Sequence, residues 1–106
     1  MFSRKIKGSK NKIFEACLLC AKNCYNDGRF DISKLLLEKA IRYKENDIRA
    51  YFLLAEILEK MGKKQDALKI YREVMIISGW KAKDENFQKA SEKIYYLTNP
   101  SCSSID

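Results

Sequence analysis

The chain contains no histidine and only one proline, Pro100, among its 106 residues. Without histidine, catalysis by an imidazole and metal sites that include one are excluded. Glycine is also scarce, at four residues, and this shortage of turn formers argues against a β-sandwich and favours helices. The longest apolar run, residues 50–55, is far too short for a helix that spans a membrane. We therefore expect a small all-α protein without a membrane span.

The positive charge is concentrated at the start of the chain. The net charge is +7, and residues 1–12 hold five basic and no acidic side chains, so the remainder is nearly balanced. The apolar segment that follows this start, residues 16–21, is only six residues long, which argues against a secretory signal. We expect residues 1–10 to be a flexible basic arm that contacts RNA, a membrane surface or an acidic protein, or that is simply solvated. The basic side chains in question are Arg4, Lys5, Lys7, Lys10 and Lys12.

Three of the four cysteines fall within eight residues, at Cys17, Cys20 and Cys24, and the fourth, Cys102, lies near the end. On a helix this spacing places the three thiols on one face. Three thiolates on one straight helix cannot converge on a single zinc ion or iron–sulfur cluster, and free cysteine packs as a small apolar residue. We therefore predict that the three thiols are reduced, buried and free of metal, with Cys102 the first to react with a thiol reagent.

Two glycines with similar surroundings, Gly28 and Gly62, lie 34 residues apart. Apolar residues before and after Gly62 recur every three or four positions, as on two amphipathic helices. Glycine permits a tight turn between them, because it accepts a positive φ without penalty. A repeat at this period is typical of an array of helical hairpins.

The segment around Gly62 resembles a tetratricopeptide repeat, a hairpin of two helices with large and small apolar residues at fixed positions. The match extends one repeat earlier in a more degenerate form, in which the cysteines replace larger apolar residues. A glycine, Gly79, stands where the pattern usually has proline. The matching residues of the better repeat are Tyr51, Leu54, Ala55, Leu58, Gly62, Ala67, Tyr71 and Val74, and those of the earlier one are Cys17, Cys20, Ala21, Cys24, Gly28, Ser33, Leu37 and Ala40.

The resemblance covers residues 14–97 and implies an all-α, right-handed stack of antiparallel hairpins. We predict helices at 11–26, 30–44, 48–61, 64–78 and 84–98, the last of which caps the second hairpin. Asp47 and Asp84 are the expected N-caps of the third and fifth helices. The predicted organisation is a basic arm at 1–10, a helical domain at 11–98 and a short tail at 99–106. Close helix contacts are expected at Ala21, Ala55 and Ala67.

In repeats of this kind the first helix of each hairpin lines a concave groove that binds a ligand. The groove positions implied by the resemblance come from three helices, and Phe52 is expected to be an apolar anchor for a peptide. The alternative is that the arm or tail of the chain itself fills the groove. The positions are Leu18, Lys22, Tyr25, Arg49, Phe52, Glu56 and Glu59, with Gln88, Glu92 and Tyr95 on the capping helix.

The sequence contains no phosphate-binding loop, nucleophile elbow or paired carboxylates in a catalytic setting. Relatives that bind chaperone C-termini use basic and amide groups, but Leu18, Leu19, Leu53 and Glu56 occupy those positions here, so a carboxylate clamp is not expected. We predict a non-catalytic intracellular adaptor or assembly subunit, cytoplasmic or nuclear, that binds a protein or peptide and needs no cofactor or metal. The alternatives are an RNA- or ribosome-associated protein that uses the basic arm and, on the cysteines alone, a thiol-based metal or redox protein.

Overall fold

A computed structural model describes residues 2–79 and 83–99 of the chain, with side chains from Lys10 onward. The described residues form five α-helices and no strand. These helices are α1 (Phe2–Asn26), α2 (Phe30–Tyr43), α3 (Ile48–Lys60), α4 (Lys64–Ile77) and α5 (Glu85–Thr98). The predicted all-α class and number of helices are confirmed.

Helices α3 and α5 begin at the aspartates predicted to cap them. The Asp47 carboxylate accepts a hydrogen bond from the backbone N–H of Arg49 at 3.0 Å. The Asp84 carboxylate accepts bonds from the N–H groups of Asn86 at 2.8 Å and Phe87 at 3.3 Å. Each cap satisfies backbone donors that have no partner within the first turn of the helix, which fixes where the helix starts.

The two hairpin turns are nearly identical, and they lie one repeat apart. Gly28 has φ +80° and Gly62 has φ +79°, a left-handed conformation that favours glycine. In each turn the glycine N–H donates to a carbonyl three residues earlier, at 3.1 Å in the first and 3.0 Å in the second. The next N–H, of Arg29 or Lys63, donates across five residues at 2.8 Å in both. This geometry closes the helix C-terminus in the same way twice and confirms the 34-residue register.

The helices pack in chain order, α1 on α2, α2 on α3, α3 on α4 and α4 on α5, with a smaller contact between α1 and α3. The small residues Ala21, Ala55 and Ala67 are fully buried, as predicted for positions where helices approach closely. In the first hairpin the buried Ser33 hydroxyl donates to the Ala21 carbonyl at 2.7 Å and ties α2 to α1. The other fully buried side chains are Phe14, Leu37, Ala40, Ala50, Ile57, Tyr71, Val74 and Ala90.

The first helix starts earlier than predicted. It begins at Phe2 rather than at residue 11, so residues 2–10 have helical backbone. The division into an arm at 1–10, a domain at 11–98 and a tail at 99–106 stays a prediction, since the side chains of residues 1–9 and the residues from Pro100 onward lie outside the described part.

The prediction that all three clustered thiols are buried is wrong. Cys17 is buried, Cys24 is half-buried and Cys20 is exposed; all three are free thiols. Cys20 is exposed because α1 is the first helix in the described stack. The side of α3 that corresponds to Cys20 is covered by α2, whereas no described helix covers that side of α1. Cys102 lies outside the described residues, so its predicted reactivity is untested.

Candidate functional site

An open groove of about 750 Å³ separates α3 from α5. Helix α3 contributes Phe52, Glu56 and Glu59, whose spacing of four and then three residues places them on one face. Helix α5 contributes the opposite wall. The complete lining is Phe52, Glu56, Glu59, Lys89, Glu92, Lys93, Tyr96 and Leu97.

Aromatic and aliphatic side chains form the apolar part of the groove. Phe52 is half-buried and packs edge-on against the fully buried Tyr71, with ring centroids 5.5 Å apart. Tyr96, with 44% of its surface exposed, meets the edge of the Tyr95 ring at 5.7 Å. Leu97 packs against the core beneath it. The core therefore holds Phe52 in place before any ligand arrives, which lowers the entropic cost of binding.

Most charged groups around the groove already have partners in the protein. The Glu59 carboxylate accepts a hydrogen bond from the Tyr71 hydroxyl and lies 3.7 Å from the Lys93 ammonium group. Burial, followed by the contact with Glu59, raises the pKa of Tyr71, so this phenol remains a hydrogen-bond donor at neutral pH. Lys89 forms an ion pair at 2.8 Å with Glu85, one turn earlier on α5.

Glu56 differs from these groups. Its side chain is half-buried between Phe52 and Glu59, and it has no hydrogen bond or ion pair within the described part of the chain. Burial raises the pKa of the Glu56 carboxyl, an effect that Lys93 opposes and that Glu59 reinforces. The groove thus contains one carboxylate that is partly desolvated without a matching donor.

A smaller recess of about 300 Å³ adjoins the groove and brings in α1. It is lined by Tyr25, Glu56, Glu59, Lys60 and Lys93. Tyr25 packs against Phe30 with ring centroids 5.7 Å apart. Burial, and then the two glutamates, raise the pKa of the Tyr25 phenol. The concave side therefore presents a continuous surface from Tyr25 on α1, across α3, to α5.

The structure brings five of the ten predicted groove residues together here: Tyr25, Phe52, Glu56, Glu59 and Glu92. Lys22, Gln88 and Tyr95 are exposed but do not line the groove.

Two predicted groove residues have other contacts. Leu18 is a core residue with 2% exposure. Arg49 binds the Glu15 carboxylate through two nitrogens, at 2.8 and 3.2 Å, and also binds Asp47 at 2.8 Å. Arg49 therefore joins α1 to α3 and its charge is already paired, so the expectations that Leu18 and Arg49 line the groove are corrected.

Sequence reasoning missed Lys89, Lys93, Tyr96 and Leu97, which form one face of α5 at spacings of four, three and one residues. The repeat pattern, continued onto α5 with an insertion of two residues, predicts Gln88, Glu92 and Tyr95 instead, and of these only Glu92 lines the groove. The sequence of α5 does indicate this face, because it lies beside the apolar residues Ala90 and Ile94, which pack in or against the core. A search for helical periodicity within α5 alone would have found it.

Of the basic side chains assigned to the arm, only those of Lys10 and Lys12 are described, and neither lines the groove. Lys10 and Lys12 are exposed on α1, and the side chains of Arg4, Lys5 and Lys7 lie outside the described residues. Among the residues with described side chains, no three acidic, cysteine or histidine groups are arranged to hold a metal ion. None of the described helices is both long enough and apolar enough to cross a bilayer.

Comparison with known proteins agrees with the arrangement of the hairpins. A family model described as tetratricopeptide repeat matches residues 48–75, which comprise α3, its turn and most of α4. The α3–α4 hairpin is thus similar to a tetratricopeptide repeat. Such repeats generally mediate protein–protein interactions, and their fold is typically a non-catalytic scaffold.

A solved tetratricopeptide repeat domain protein from Salinibacter ruber has the same fold. It superposes on the chain with a TM-score of 0.71 at 10% sequence identity, over 81% of this chain and 97% of that one. At this identity the likeness concerns the fold alone. No curated protein matches the sequence.

Proposed function

We propose that the protein is a non-catalytic interaction module that binds a segment of a partner protein in the groove between α3 and α5. One observation carries this proposal: an open groove combines an aromatic anchor held by the core with charged walls. Phe52 supplies the anchor, and Tyr96 and Leu97 complete the apolar surface around it. Interfaces depend on a few such aromatic sites, surrounded by polar groups that set specificity.

The proposed module acts within an intracellular assembly, as an adaptor or as a subunit. Helical-repeat domains generally need about three repeats to be firmly stable alone, and the described residues form two hairpins and a fifth helix. Binding to a partner adds stability to such a short array, since a ligand that binds only the folded state favours folding. A cofactor has no part in this proposal, and the groove offers recognition chemistry instead.

The experiment compares two truncations of exposed apolar side chains. Tyr96→Ala removes a groove residue, whereas the control Ile76→Ala removes a side chain of similar exposure, 52%, on α4 outside the groove. Phe52 is unsuitable for this test because its ring supports the buried Tyr71. The probe is the partner recovered from native extract by affinity capture of the full chain. We expect Tyr96→Ala to weaken its binding by about tenfold or more, and Ile76→Ala to leave it unchanged.

Equal binding by wild type and Tyr96→Ala would contradict the groove. A third variant, in which Lys10 and Lys12 are both changed to Gln, tests the basic arm. If binding to RNA or to an acidic partner is lost with this double change and kept with Tyr96→Ala, the arm is the binding surface. Weakened binding in Tyr96→Ala, with the double change altering mainly the salt dependence, supports the proposal.

A further inference from the structure

Glu56 is the half-buried carboxylate of the groove, and no described residue forms a hydrogen bond or ion pair with it; Glu92, which also lines the groove, is exposed. Glu59, one turn further along α3, receives the Tyr71 hydroxyl and lies beside Lys93. Arg49, at the start of the same helix, is bound to two carboxylates. Within the described residues Glu56 has no such partner. An unpaired, partly desolvated charge is unfavourable in the free protein and becomes favourable when a ligand supplies the donor.

The lysines near Glu56 do not supply that donor. Lys93 lies 3.7 Å from Glu59, and Lys89 lies 2.8 Å from Glu85. Lys60 lines the same recess but is exposed and forms no ion pair with Glu56. All three lower the pKa of the Glu56 carboxyl at longer range, which burial raises more. The local chemistry at Glu56 therefore favours a cationic group from outside over an anionic one.

An apolar surface lies one helical turn from this carboxylate. Phe52 and Glu56 are four residues apart on α3, which corresponds to about 6 Å along the helix axis. In an extended peptide, side chains two residues apart point the same way and are separated by about 7 Å. A single extended segment can therefore place one side chain on Phe52 and the next but one at Glu56.

We propose that the groove selects extended protein segments in which a lysine or arginine reaches Glu56 and an apolar side chain two residues away packs on Phe52, Tyr96 and Leu97. This inference rests on the proposed function, since it names the chemistry of the segment that the groove binds. It also assigns specificity to Glu56. Acidic segments, such as those held by carboxylate clamps, are disfavoured by Glu56 together with Glu59 and Glu92 on the same walls.

The test is selection of random short peptides, displayed on phage, against the full chain and its variants. Glu56→Gln keeps the size of the side chain and removes the charge, and Glu56→Lys reverses the charge. Glu73→Gln, at an exposed position on α4, is the matched control. From the wild type and from Glu73→Gln we expect peptides with Lys or Arg two positions from an apolar residue. Synthetic copies of these peptides should bind Glu56→Gln about tenfold more weakly, and Glu56→Lys should select acidic residues instead.

The outcomes separate this inference from the function on which it rests. Two results would overturn the role of Glu56 but not the groove as the binding site. In the first, the selected peptides bind Tyr96→Ala more weakly but carry no basic residue. In the second, they bind Tyr96→Ala more weakly but bind Glu56→Gln as well as they bind wild type. Selected peptides whose affinity is the same in Tyr96→Ala as in wild type would overturn both. Far-ultraviolet circular dichroism of each variant verifies that it is folded.

Discussion

The two hairpins share one sequence register, but their equivalent residues differ in burial. On α3 the stripe that faces α2 is buried: Leu53 and Leu54 expose 8% and 6% of their surfaces, and Ile57 exposes none. Thirty-four residues earlier, on α1, Leu19 exposes 60% of its surface, and Cys20 and Asn23 are also exposed. The repeat pattern thus specifies a position within a hairpin, and the neighbouring hairpin decides whether that position is buried.

The same difference determines which hairpin contributes most to the groove. On α3, Phe52 and Glu56 face α5 across open space. Their equivalents on α1 are Leu18, which is buried, and Lys22, which is exposed outside the groove. On α1, Leu18 therefore belongs to the core rather than to the groove. The equivalent of Glu59, Tyr25, is the residue of α1 that reaches the concave recess.

The largest effect that tests this comparison is expected at equivalent positions 54 and 20. Leu54→Ala removes a side chain packed between α2 and α3 and should lower the free energy of unfolding by about 2–5 kcal/mol. Cys20→Ala removes an exposed side chain and should change it by less than about 0.5 kcal/mol. Urea unfolding followed by circular dichroism measures both. Equal losses would show that the outer side of α1 is covered after all.

Enlarging a side chain, instead of truncating one, also tests whether the surfaces of α3 and α1 are covered. Ala50 on α3 is fully buried, and its equivalent, Ala16 on α1, is exposed. Ala50→Leu should overpack the contact with α2 and cost about 1–3 kcal/mol, whereas Ala16→Leu should stay within about 0.5 kcal/mol of wild type. The difference between the two unfolding free energies is the measurement. A tolerated leucine at position 50 would place the packing surface of α3 elsewhere.

The fold was largely predictable because its signals are local. Helix α4 was predicted at 64–78 and spans Lys64–Ile77, since the Gly62 turn marks its start and its apolar residues recur at helical spacing. The buried alanines followed from the same register. The prediction that Cys20 is buried was wrong because burial depends on which helices pack against each other. Cys20 occupies a position that is buried in the second repeat, but no described helix covers it.

The groove was less predictable than the fold. Phe52, Glu56 and Glu59 were found because α3 obeys the repeat, whereas Lys93, Tyr96 and Leu97 lie on a capping helix whose register the pattern does not fix. The partners of Arg49 were also beyond sequence reasoning. Its contact with Glu15 joins residues 34 positions apart, and exposed charges have many alternative partners in a sequence.

A third pair of equivalent positions differs in hydrogen bonding, because Tyr71 in the second hairpin carries a hydroxyl group. Its equivalent in the first hairpin is Leu37, which is fully buried and has no polar atom in its side chain. Tyr71→Phe keeps the ring and removes the hydrogen bond to Glu59, so we expect a loss of about 1–2 kcal/mol. Tyr51→Phe is the control, because the Tyr51 side chain is half-buried and forms no hydrogen bond among the described residues. Indistinguishable melting temperatures for the two variants would contradict a stabilising role for the bond.

The smallest expected change in the free energy of unfolding is at Glu56, and it is an increase rather than a loss. Burial raises the pKa of its carboxyl in the folded state, so ionisation of this group opposes folding at neutral pH. Glu56→Gln should therefore stabilise the free protein slightly at pH 7. Lys22→Gln, at the equivalent exposed position of α1, is the control and should have no measurable effect.

The pH dependence of this gain follows from the direction of the shift. Above the folded-state pKa the wild type bears the full cost of the buried charge. As the pH falls through that value toward the lower pKa of the unfolded chain, the folded protein takes up a proton first, and the cost disappears. The stability difference between Glu56→Gln and wild type should therefore be largest at neutral pH and vanish in acid, as urea unfolding at a series of pH values would measure. A variant less stable than wild type at pH 7 would mean that Glu56 already has a stabilising partner in the free protein, and Glu56 would then not be available to pair with a ligand.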